Sequence, residues 1–263
     1  MFVQMKKLTL ILIFTFSQIN IQSNELSSDW NYFKKDMRQV LRGIEKTQIK
    51  DFAIPSVALI GIVASSQYEE EIRLFSKFLD KSNQNNFNTY QIFANQIGEP
   101  TVFLVFPGIV YAVGYLANSS SWRRTGKLTY ESIIINGVAT GILKFTFGRA
   151  RPYMELGNSH FEILNFNDDY MSFPSGHTSM AFAIATILAY RSKNTLASIG
   201  YYLLASSTGM ARIYFDKHWL SDVLSGATIG TISALAVINA ENRVRDNEIN
   251  NTFVPIIQIG ISF

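Results

Sequence analysis

Five stretches in the second half of the chain, residues 101–117, 129–147, 178–190, 195–210 and 219–239, are long, apolar and almost free of charge. A helix that is apolar around its whole circumference has to be buried, either at the centre of a core or in a bilayer. Glu131 near one start, Lys144 near one end, and Asp222 are the ionisable exceptions. The pattern predicts an all-α helical bundle, polytopic with about five spans. Two stretches carry glycines four residues apart, Gly137 with Gly141 and Gly226 with Gly230, a spacing that lets neighbouring backbones approach closely.

The connections between these stretches differ in charge. Arg123, Arg124 and Lys127 follow the first, Arg191 and Lys193 follow the third, and Glu155, Glu162, Asp168 and Asp169 follow the second. By the positive-inside rule the two basic connections face the cytoplasm and the acidic one faces outward. A mean hydropathy of only +0.11 is low for a polytopic protein, and a soluble exported all-α domain stands as the alternative.

Lys6 and Lys7, an apolar run from Leu8 to Phe16, and small or polar residues up to Ser23 have the order of a signal peptide or an N-terminal anchor, so the residues after Ser23 are expected outside the cytoplasm. Residues 24–250 then form one domain, with no linker-like stretch dividing them. Between residues 29 and 49, Trp30, Phe33, Met37, Val40, Leu41 and Ile44 recur at helical spacing among lysines and arginines, which marks an amphipathic N-terminal helix packed on the domain or lying on a membrane surface. The tail, residues 251–263, ends in an alternating apolar and polar segment with the pattern of a strand.

The chain has no cysteine, so thiolate metal sites and disulfides are excluded. Its net charge of +3 comes from dispersed Lys and Arg, which gives no nucleic-acid footprint. The three histidines therefore carry weight.

Three polar clusters interrupt the apolar stretches. Lys144-Phe-Thr-Phe-Gly-Arg-Ala-Arg151-Pro152 sets two cations seven residues apart, on one face if the helix continues, and Pro152 ends it. Cations at the mouth of an apolar helix call for an anion, and a guanidinium donates two parallel hydrogen bonds to phosphate. Pro174-Ser175-Gly176-His177 stands immediately before an apolar helix, whose first amides point outward unpaired and form an anion cradle with His177 at its edge as a proton donor. Arg212 is followed by His218 and Asp222, the last two four apart at a helix start. The carboxylate can hold one ring nitrogen and leave the other free for attack. If the helices alternate in direction, all three clusters meet at one end of the bundle. His160 and Arg149 have no such support and read as ordinary loop residues; Tyr170 and Phe173 read as pocket lining or as packing.

Lys-x6-Arg-Pro, Pro-Ser-Gly-His and Arg-x5-His-x3-Asp, in that order, resemble the signature of the type-2 phosphatidic acid phosphatases, which class A acid phosphatases and vanadium haloperoxidases share. The resemblance covers Lys144 to Asp222 and departs from the family at Ala211, where a Ser is usual. It implies that Lys144, Arg151, Ser175, Gly176 and Arg212 bind phosphate, that His218 attacks phosphorus with Asp222 orienting it, and that His177 protonates the leaving oxygen. It implies a metal-independent phosphatase without a cofactor. The expected substrate is a phosphorylated membrane lipid, mono- or diphosphate, and the expected location an inner membrane with the site facing the periplasm. A soluble periplasmic acid phosphatase of broad specificity is the alternative.

Overall fold

The computed structural model describes residues 25–43, 60–82, 92, 94 and 99–252. The leader and the strand-like tail lie outside them. The elements are helices throughout: α1 (25–43), α2 (Glu69–Ser82), α3 (Pro100–Leu116), α4 (Ser120–Phe147), α5 (Gly176–Ser192), α6 (Thr195–Tyr214) and α7 (Leu220–Thr252). Among the described residues the sole β-type pairing is an isolated bridge between Arg149 and Phe161.

Each apolar stretch falls within one of α3 to α7, give or take the terminal residue. α5 is the hub, packed against α4, α6 and α7. One core cluster joins Leu128, Ile187, Val237 and Ile238, with Val40 of α1 added to it; a second joins Phe103, Ile133, Ala181, Ile184 and Ala205. Of the two glycine pairs, one works as the spacing predicts. A Cβ on Gly226 or Gly230 would run into the backbone of α5 at Ser175 or Ser179, whereas one on Gly137 or Gly141 would meet nothing. By length and composition one described helix, Leu220–Asp246, is long and apolar enough to cross a membrane, and Thr101–Leu116 is a shorter apolar helix.

α1 packs on the bundle through polar contacts. Asp36 pairs with Lys127 at 2.7 Å, Glu25 and Asp29 pair with Arg123 at 3.0 and 3.3 Å, and Tyr111 donates to Asp29 at 2.9 Å. Arg123, Arg124 and Lys127 therefore belong to the first turns of α4 rather than to a loop, and Arg124 pairs with Glu241 of α7. Trp30 and Leu41 face outward, so the helix is both packed and amphipathic toward its surroundings. Lys127 and Lys144 are 17 residues apart on one helix, ~25 Å at 1.5 Å per residue. α1 thus sits at the end of the bundle opposite Lys144, while α2 sits at the Lys144 end, where Arg73 grips Asp216 with bonds of 2.6 and 2.7 Å. Two expectations from the sequence conflict here: residues following Ser23 on the outer side, and the Arg123 end on the inner side.

Candidate active site

The helix carrying Lys144 stops earlier than the sequence suggests. α4 ends at Phe147, and Gly148 turns the chain in the left-handed region at φ 57°, its N–H donating to the Lys144 carbonyl at 3.0 Å. Glycine is needed there, because a Cβ would overlap the Glu162 carbonyl of the neighbouring strand of loop. Beyond it the chain is extended, and Arg151, held at ψ 152° before Pro152, has left the helix. In an extended segment successive side chains point to opposite sides, so Arg149 and Arg151, two apart, leave the backbone on the same side. Arg151 is held by the backbone carbonyl and carboxylate of Asp168 at 2.8 and 2.9 Å, and Arg149 turns into the interior. The Lys144 ammonium donates to the Met171 carbonyl.

At the start of α5, Ser175 is the N-cap, fully buried. Its hydroxyl lies 2.9 Å from that of Thr178 and accepts the Thr178 N–H at 3.4 Å, and its own N–H donates to the Asp222 carbonyl at 2.9 Å. The Ser175 side chain is thus turned into the cap. The amides of Gly176 and His177, next along the helix, have no helical carbonyl behind them. Lys144 lies across Gly176, its Cε 3.5 Å from where a Cβ would be.

Arg212 lies in the last turn of α6, and its carbonyl accepts the N–H groups of Lys217 and His218 at 3.0 and 3.3 Å, fixing the turn that presents His218. Asp222 is the third residue of α7, and its Oδ2 accepts the Trp219 N–H at 2.9 Å, one half of a capping box. The same oxygen faces His218 Nδ1 at 3.6 Å, too long for a hydrogen bond but close enough for a strong electrostatic contact. Both side chains are buried.

The electrostatics show that these groups converge. Burial and the positive field of Arg212, Lys144 and Arg151 push the half-buried His177 imidazole down to about 3. Burial takes His218 to about 3 as well, against the pull of Asp222 and with Lys144 and Arg151 adding to the drop. Both rings are neutral at pH 7. All eight residues singled out from the sequence lie at this one end of the bundle.

Four residues here were not singled out. Arg149, read from the sequence as an ordinary loop residue, is buried and donates to Asp222 Oδ1 at 2.6 Å and to Glu69 at 2.7 Å. Ser172 donates to Asp222 Oδ2, and Trp219 donates through its indole N–H to the Ala150 carbonyl at 3.0 Å. Glu69 accepts from the Ser221 N–H at 2.8 Å. The Arg-Ala-Arg spacing in an extended stretch was the available signal for Arg149; Glu69 gave none. Phe173 stacks edge-on against Phe147, and Tyr170 lies near the half-exposed His160.

Residues 128–246 match the model of the PAP2 superfamily. This region, which holds all three polar clusters, resembles a PAP2 domain. Among curated proteins it is similar to a lipid A 1-phosphatase of Porphyromonas gingivalis, 37% identical over 124 residues, covering 45% of this chain and 24% of that one. It is also similar to lipid phosphate phosphatase 1 of Arabidopsis thaliana, 28% identical over 165 residues, 51% of this chain and 50% of that one. The chain spans 24% to 47% of the length of the first three curated relatives it matches. The crystal structure of Aquifex aeolicus LpxE shares the fold of the PAP2 region, with a TM-score of 0.51 at 24% identity over 63% of this chain and 93% of that one.

Proposed function

We propose that the chain hydrolyses a phosphate monoester or diphosphate of a membrane lipid through a phosphohistidine. The observation that carries this reading is the convergence of three cations, two neutral imidazoles and the open amides of α5 on one spot. In the first step His218 Nε2 forms a bond to phosphorus, the P–O bond to the lipid breaks, and His177 gives its proton to the leaving oxygen. In the second, His177 takes a proton from water, the water oxygen attacks phosphorus, and the N–P bond breaks to release phosphate. Lys144, Arg151, Arg212 and the amides of Gly176 and His177 hold the equatorial oxygens. His177 has to be protonated to begin, and an incoming phosphate dianion supplies the condition by cancelling the cations that suppress it.

Two features favour a lipid over a soluble phosphate. The flanks of the bundle carry Val105, Ile109, Val138, Ile142 and Leu203, each more than half exposed, which is costly in water and favourable in a bilayer. One turn along α6 from Arg212, Thr208 opens an apolar cavity of about 180 Å³ lined by Phe103, Phe106, Ile184, Leu188 and Leu204, suited to hydrocarbon. On this reading the apolar parts of α3 to α7 cross an inner membrane and the site faces the periplasm. The similarity to lipid A 1-phosphatases makes a lipid A 1-phosphate the first substrate to try.

The test is phosphate release from detergent-solubilised lipid phosphates in the presence of EDTA. Release by wild-type protein and none by His218→Ala supports the reading; undiminished release by that variant removes His218 as nucleophile. Recovery of active protein by osmotic shock without detergent would favour a soluble acid phosphatase instead.

A further inference from the structure

The buried charges behind Asp222 reach well outside the PAP2 region. Glu69, the first residue of α2, is fully buried and lies 75 positions before Lys144 in the sequence. Its Oε2 accepts from Arg149 Nη2 at 2.7 Å and from Asn158 Nδ2 at 3.2 Å, and its Oε1 accepts the N–H of Ser221 in the first turn of α7 at 2.8 Å. Arg149 in turn donates to Asp222 Oδ1 at 2.6 Å and to the Ser221 hydroxyl at 2.7 Å, and its guanidinium stacks 5.6 Å from the Trp219 ring. Carboxylate, guanidinium and carboxylate thus form one continuous buried line that ends facing His218.

Burying three ions costs several kcal/mol each before pairing, so hydrophobic residues of the same volume would hold α2 in place at least as well. What they could not supply is charge. Arg149 alone would cancel Asp222, leaving His218 among the cations Lys144 and Arg151 with nothing to balance them. With Glu69 present the line keeps one net negative charge. When His218 Nε2 bonds to phosphorus the ring becomes cationic at Nδ1, 3.6 Å from Asp222, and that is the moment at which the retained charge counts.

We infer that Glu69 is a positioning residue of the reaction, acting through Arg149 to keep Asp222 available as an anion to His218. The inference rests on the phosphohistidine reading above. Glu69 touches neither the phosphate cradle nor the apolar cavity, so its contribution falls on the chemical step and not on binding.

The experiment compares full-length variants in detergent on a lipid phosphate, with vanadate as a mimic of the pentacoordinate phosphorus. Glu69→Gln, nearly the same shape without the charge, is expected to lower kcat about tenfold, the equivalent of one unit of basicity at the ring. KM should stay within about twofold, and the inhibition constant for vanadate should rise by the same factor as kcat falls. Arg73→Gln breaks the tether of α2 to Asp216 and the Arg73 stacking on the Trp219 ring while leaving Glu69, Arg149 and Asp222 in place, and should leave kcat unchanged. Adding Asn158→Asp to Glu69→Gln exchanges the two partners of one hydrogen bond, returns a carboxylate to the vicinity of Arg149, and should recover most of kcat. Glu69→Gln with kcat within about twofold of wild type overturns the inference, as does an equal loss in Arg73→Gln. If Glu69→Gln does not fold, the exchanged pair decides: near-wild-type kcat supports the inference and a tenfold loss refutes it. Wild-type protein that binds vanadate but turns over no substrate overturns the parent reading too.

Discussion

Gly226 of α7 passes so close to Ser175 of the α5 cap that a methyl group on it would stand 2.5 Å from the Ser175 carbonyl oxygen. One turn further along, Gly230 meets Ser179 more closely still. This contact sets the distance between the helix that begins with the phosphate cradle and the helix that begins behind His218. It is therefore a constraint on the site as much as on the core.

Gly226→Ala and Gly230→Ala should each destabilise the protein by about 2 kcal/mol or more, since the helix propensity gained, about 1 kcal/mol, is outweighed by forcing two backbones apart. Gly137→Ala and Gly141→Ala, with open space around them, should be neutral or stabilising. Thermal unfolding in detergent measures both. Equal behaviour of the two pairs would mean that α5 and α7 are not packed as described.

Ser175 separates two roles that the motif alone merges. Its hydroxyl is committed to Thr178 and its N–H to Asp222, so Ser175→Ala should lose about 1 kcal/mol of stability, as an N-cap does. The amides of Gly176 and His177, to which phosphate binding is assigned in the proposal, remain, and KM should change by less than about threefold. A rise in KM of a hundredfold with unchanged stability would show that the hydroxyl serves the phosphate.

How much of this could be read in advance follows from the range of each interaction. The helices and the three clusters were legible because periodicity and Pro, Gly and cap residues act within a few positions. Arg149 was read as an ordinary loop residue because its partners, Asp222 and Glu69, lie 73 and 80 positions away in the sequence. Arg123 to Lys127 were taken for a loop because the first turns of α4 face the acidic groups of α1 and α7 and so lack an apolar pattern. Glu69 contacts Arg149 across 80 positions, and in sequence a glutamate on an amphipathic helix looks like a solvated one.

His177 gives a proton-linkage prediction with a definite sign. Its pKa of about 3 reflects burial and three cations, so at pH 8 the ring is neutral. A dianion that neutralises those cations raises the pKa, and a raised pKa on binding means proton uptake from solvent. Titration of His218→Ala with inorganic phosphate at pH 8, in two buffers of different ionisation enthalpy, should report uptake of a fraction of a proton. The same titration with His177→Asn added should report a clearly smaller uptake. Undiminished uptake without His177 would assign the proton to another group.

The ends of α4 decide the topology. α1 is bound through Asp36 and Asp29 to Lys127 and Arg123, ~25 Å from Lys144 along one helix, a length close to the thickness of a bilayer core. If α4 spans a membrane, α1 and the catalytic end face opposite compartments, whatever the leader does. Because the chain lacks cysteine, single substitutions report cleanly. Asn31→Cys on the exposed face of α1 and Glu155→Cys on the catalytic-end loop are both accessible. In intact cells a membrane-impermeant maleimide should label position 155 and spare position 31, and permeabilised cells should show both. Labelling of both in intact cells would place α1 outside together with the site and remove α4 from the list of spans.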